Sequence, residues 1–184
     1  MTFSRMECLM LLACPGVLFG QVKKITPPTS VVEVFDRSID GPEHATLALA
    51  EKMPDSLYNF APKRGAFKGV RTFAQLAKHI AVANYQMGAA LLREKMPIEP
   101  GPHENGPDSL KSKDDVVKFL QESFAYLHKG IATVSEHNLM EVVELPEGGR
   151  VPRLSVVTAA ISHPWDIYGQ MVEYLRMNGI DPQS

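Results

Sequence analysis

Cysteine is nearly missing from this chain: there are two in 184 residues, Cys8 and Cys14, both ahead of residue 21. That scarcity excludes a disulfide scaffold. A basic excess is missing as well, since 19 Lys and Arg face 21 Asp and Glu for a net charge of −2. Without a positive surface to neutralise phosphates, nucleic acid is not an expected partner. The apolar run Cys8 to Phe19 has 12 residues, short of the roughly 20 that a membrane-spanning helix needs. Repeats and low-complexity blocks are lacking too. What remains is 45% apolar and 22% charged, a globular composition long enough for one domain with a real core.

The N-terminus, MTFSRMECLMLLACPGVLFG, reads as an export signal over residues 1–20. Arg5 is a sparse basic segment, Cys8 to Phe19 is the apolar segment, and Leu18 and Gly20 flank a cleavage point before Gln21. The expected location is therefore periplasmic or extracellular. Two alternatives stay open. A mis-set start or a disordered tail would leave the protein cytoplasmic. A lipoprotein reading of Leu11-Leu12-Ala13-Cys14 would tether it to a membrane. Cleavage before Gln21 removes both cysteines and leaves the net charge unchanged. Any metal site in the remaining chain must then use histidines and carboxylates.

After a short lead-in (residues 21–29), the pattern predicts four helices between Pro- and Gly-rich loops. The first covers about Ser30 to Lys52, with Pro42 expected to kink or split it. The second covers about Phe73 to Lys95. It opens on the capping box Thr72-Phe-Ala-Gln75 and carries the stripe Phe73, Leu76, Ile80, Ala83, Met87, Leu91. The third covers about Lys113 to Val134, capped by Ser112. The fourth covers about Arg153 to Asn178, closed by Gly179 and interrupted by Pro164, which must kink the helix or start a new one. The 54–71 loop carries Tyr58, Phe60 and Phe67 and is expected to pack on the helices. Residues 140–145, MEVVEL, read as a short strand or extended linker, followed by a turn at Glu147-Gly-Gly-Arg150. Residues 30–184 thus form one all-α domain, a four-helix bundle with long connecting loops.

Six histidines are present. His103 lies in a Pro-rich loop and reads as solvated. His44, His128 and His137 have no evident mates and read as surface or capping residues. His79 flanks the stripe of the second helix, and His163 sits in Ser-His-Pro-Trp-Asp-Ile-Tyr-Gly-Gln (162–170). Two imidazoles alone are too few to hold zinc.

The segment HPWDIYGQMVEYLRMNGIDPQS (163–184), with ALAEKMPDSLYNFAPKRGAFKGVRTFAQLAKHIAVANY (48–85) and KDDVVKFLQESFAYLHKG (113–130), resembles the DinB/YfiT-like family of bacterial four-helix bundles. The resemblance implies a metal site of zinc, nickel or iron type. One histidine would come from the second helix and an H-x-x-x-H pair from the fourth. Carried over, the ligands fall on His79, His163 and position 167, which is Ile167 here. Asp166 is the nearby carboxylate that could substitute. The resemblance and this departure support a degenerate metal site and a domain that binds a small ligand or pairs as a homodimer, with Trp165 and Tyr168 expected at the pocket. The alternative is a metal-dependent enzyme, of thiol S-transferase or hydrolase type, using His79, His163 and Asp166. No catalytic residue can be named beyond these.

Overall fold

The computed structural model describes residues 26–183. Residues 1–20, read as an export signal, and with them both cysteines, lie outside the described residues. Four helices carry the fold: α1 (Val31–Lys52), α2 (Phe73–Leu92), α3 (Lys113–Ile131) and α4 (Arg153–Met177). A hairpin of β1 (Val142–Glu144) and β2 (Arg150–Pro152) precedes α4. Among the described residues no helix is long and apolar enough to cross a membrane.

Local chemistry sets the helix ends. The Thr72 hydroxyl accepts from the Gln75 N–H at 3.2 Å, and the Gln75 side chain accepts from the Thr72 N–H at 2.8 Å. Two of the orphan donors that open α2 are thereby satisfied. Ser112 and Asp115 do the same for α3. Gly179, at φ +72°, closes α4, with the Ile180 N–H returning to the Leu175 carbonyl at 3.0 Å. Two ends come earlier than the periodicity predicts. α2 stops at Leu92 because Arg93 adopts a left-handed conformation, and α3 stops at Ile131.

Pro42 and Pro164 do not split their helices. α1 and α4 each run through their proline as one helix. One proline removes one ladder bond, but the flanking turns keep theirs, and both rings are buried. Nearby hydroxyls also bond carbonyls a turn back, Ser38 to Val34 at 2.6 Å and Ser162 to Thr158 at 3.0 Å.

α1 and α2 each pack against α3 and α4. Helices adjacent in sequence, α1–α2 and α3–α4, therefore sit across the bundle diagonals. The connections 53–72 and 132–152 must cross an end of the bundle, which accounts for their length. The first is tied down as expected at two of its aromatics. Tyr58 is buried and donates to the Ala50 carbonyl at 2.5 Å. Phe60 packs edge-on against Tyr174, while Phe67 is exposed. MEVVEL takes the strand option: Val143 pairs with Val151, and the turn runs through Gly148 and Gly149.

The tightest contact is α2 on α3. A Cβ at Gly88 would lie 2.7 Å from the Tyr126 ring, and one at Gly130 would lie 3.1 Å from the Gly88 Cα. Only glycine at these positions lets the two backbones approach this closely. The core runs through Phe73, Leu76, Ile80, Leu120, Phe124, Leu127, Val157 and Leu175, all essentially solvent-free.

Candidate functional site

The adjacency of α2 and α4 brings His79 and His163 together, with ring centroids 5.0 Å apart and planes tilted by 60°. The His79 Nδ1 lies 3.1 Å from the Glu104 carbonyl oxygen, which fixes it as the donor nitrogen and leaves Nε2 as an acceptor. The His163 Nδ1 is buried and has no hydrogen-bond partner. Burial, helped by the Arg71 charge, pushes the His79 imidazole below its ordinary pKa. Burial and the neighbouring His79 do the same to His163. Both rings are therefore held neutral at neutral pH.

Glu104 reaches this site from the 93–112 loop, which the sequence marks only as a surface connection. His103 and Glu104 both adopt left-handed backbone, at φ 55° and 58°. Conformations of this kind cost on the order of 1–3 kcal/mol each and persist where surrounding contacts fix them. Here the Lys78 ammonium donates to the Pro107 carbonyl at 3.1 Å, and Arg71 donates to Asn105 at 2.8 Å and to the His103 carbonyl at 2.9 Å. The strained segment presents the Glu104 carbonyl to His79. It also places the Glu104 carboxylate where it accepts from the Gln86 amide at 3.1 Å.

A cavity of about 380 Å³ opens beside the two histidines. Met87 and Val156 form apolar wall from the helices, and Leu145 and Val151 add wall from the hairpin. Ser155, Gln86, Glu104 and Glu147 supply its polar atoms. Trp165 and Tyr168, read from the sequence as pocket residues, do not line it. They stack edge-to-face with centroids 5.3 Å apart, and the Trp165 ring lies against Gly41 of α1. A larger groove of about 620 Å³ lies between Arg93 and the hairpin. Its charges are of mixed sign, and Arg93 is paired with Glu141 at 2.6 Å, so it lacks convergent chemistry.

The residues present do not complete the expected metal centre. Ile167 is 4% exposed and belongs to the hydrophobic core. Asp166 is exposed, and it influences both imidazoles only through its charge. No third histidine or carboxylate ligand atom among the described residues converges on His79 and His163. A hydrogen-bonded carbonyl behind His79 is what a metal-bound imidazole has, but the donor set is one ligand short.

A second cluster was not legible in the sequence. His128 of α3, read as a mateless surface histidine, is held by two carboxylates of α1. Its Nδ1 lies 2.5 Å from Asp36 Oδ1, and its Nε2 lies 3.0 Å from Glu43 Oε2. Asp40, Glu43 and His128 offer ligand atoms within 4.8 Å of one another, so this acidic and histidine group can hold a metal ion. Without one it straps α1 to α3 as an ion pair. The hydrogen bond to Glu43, with Asp36 adding to it against the cost of burial, raises the His128 pKa from 6.5 to about 9. A raised folded-state pKa contributes stability that is complete below about pH 6.5 and is lost as pH rises through about 9. His128→Gln is expected to cost about 1–2 kcal/mol at pH 6, discounted for solvent screening, and little near pH 10. Urea denaturation of both proteins across that range measures it.

The comparisons with known proteins agree with this fold. A crystal structure of a DinB-like protein from Bacillus cereus ATCC 10987 superposes with a TM-score of 0.64 at 15% identity, covering 84% of this chain and 97% of the other. No curated protein matches the chain. The family model of the DinB superfamily matches residues 39–171, from α1 into α4 and across both histidines. The four-helix arrangement and this match over most of the chain together place it: the chain belongs to the DinB superfamily.

Proposed function

We propose that this chain is an exported DinB-like domain that binds a small organic ligand between α2 and α4, where its relatives' metal pattern has been eroded. The observation that carries this reading is the cavity itself. Two imidazoles kept neutral by burial, one with an unpartnered buried nitrogen, face a half-apolar space of about 380 Å³. That volume lies within the usual range of small-molecule sites. Ile167 fills the third ligand position with hydrocarbon, which favours ligand binding over metal chemistry. The leader-like residues 1–20 support export.

The second reading, a metal-dependent enzyme using His79, His163 and Asp166, is favoured by the carbonyl seated behind His79. One experiment separates the two. The full chain is purified without chelator and its zinc, nickel and iron content measured beside His79→Ala and Glu43→Gln. Our reading expects no stoichiometric metal that depends on His79; any bound ion should disappear in Glu43→Gln, which disrupts the α1–α3 cluster. Hexan-1-ol should raise the melting temperature of the wild type and not of Ala159→Phe, whose ring closes the cavity from α4. Stoichiometric metal lost in His79→Ala and kept in Glu43→Gln would overturn our reading in favour of the enzyme.

A further inference from the structure

The cavity's polar residues are not neutral in charge, and this deepens the reading above to a ligand class. Two carboxylates, Glu104 and Glu147, line it, and no Lys or Arg is among its lining residues. The guanidinium closest in influence, Arg71, is committed to Asn105 and the His103 carbonyl, outside the lining. Glu104 is not there by accident of a floppy loop, because two successive left-handed residues and the docked loop hold it beside His79 and Gln86. Met87, Leu145, Val151 and Val156 add apolar wall from two helices and the hairpin. A ligand is asked to combine a cationic or donor-rich group with a hydrocarbon body.

We propose that this cavity takes a small amphipathic amine, with its ammonium group on Glu104 and Glu147 and its apolar body against Met87, Val156 and the hairpin. This inference rests on the cavity being a ligand site.

The test titrates the full chain with three probes of one chain length: hexylamine, hexan-1-ol and hexanoate. Heat of binding and melting temperature are followed at constant ionic strength and about pH 7.5, where an alkylamine is protonated and a carboxylate ionised. Hexylamine should bind saturably and roughly tenfold more tightly than hexan-1-ol, with hexanoate weakest. Glu147→Gln, at an exposed position, and Glu104→Gln should each lower hexylamine affinity several-fold while leaving hexan-1-ol unchanged. Hexanoate binding as tightly as hexylamine would overturn the amine assignment, and so would hexylamine affinity unmoved by Glu147→Gln. In either case hexan-1-ol binding that Ala159→Phe abolishes keeps the cavity reading standing. No saturable binding by any of the three overturns both.

Discussion

Ile167→His is expected to lose about 3 kcal/mol of stability as the metal-free protein and to acquire a three-histidine metal site between α2 and α4. The loss follows from burial. Ile167 is 4% exposed within the core, and replacing a buried aliphatic side chain with an imidazole forfeits its hydrophobic transfer and buries polar nitrogens. The gain follows from spacing. Position 167 is one helical turn beyond His163, so the two rings share a face of α4. His79 stands 5.0 Å from His163 across the interface. Three imidazoles satisfy the minimum that zinc requires of a protein. Urea denaturation with and without zinc measures both effects. Zinc at a thousandfold over its dissociation constant should return about 4 kcal/mol more to the variant than to the wild type. A variant destabilised but indifferent to zinc would show that the His79–His163 pair does not face position 167 in a ligating geometry. The reading of an eroded family site would then fail.

Arg153→Met is expected to cost about 3 kcal/mol, more than any other single polar change in the bundle. Arg153 opens α4, yet it is 6% exposed. Its guanidinium donates to the Leu91 carbonyl at 2.9 Å and to the Thr133 hydroxyl at 2.9 Å. The first lies in the last turn of α2 and the second just past α3, so one buried cation meets the negative ends of two helix dipoles. Removing it leaves the Leu91 carbonyl with only the Thr133 hydroxyl, at 3.2 Å. Methionine keeps most of the volume but none of the donors. Arg153→Lys should recover less than half of the loss, because a single ammonium cannot fork to two acceptors. A lower urea midpoint at unchanged slope checks the prediction. A change below about 0.5 kcal/mol would mean that water satisfies these carbonyls equally well.

Much of the fold was legible along the chain. The α2 stripe, the Thr72 and Ser112 caps, the Gly179 stop and the Gly-Gly turn are local devices whose partners lie within a few residues, so sequence spacing is enough to read them. The same holds for position 167: that an isoleucine cannot ligate is a fact of chemistry needing no coordinates. Pairing His79 with His163 needed the family resemblance, since 84 positions separate them.

Other features depended on which helices touch. Pro42 and Pro164 read as kinks or breaks because local rules count the lost hydrogen bond. The tertiary structure kept both helices whole because the prolines are packed inside. His128 looked solitary because Asp36 and Glu43 reach it only through the α1–α3 contact. Arg153 marked only the start of the fourth helix along the sequence, and it is the tertiary structure that brings two helix ends onto it. Glu104 sat in a loop with no pattern, and only the docked, left-handed backbone aims it at His79. The sequence by itself determined the helices and their caps, because those depend on neighbours along the chain, while the missing third ligand at Ile167 was legible only through the family resemblance. The bundle's diagonal order decided the cavity, its carboxylates and the buried charges, because those depend on neighbours in space.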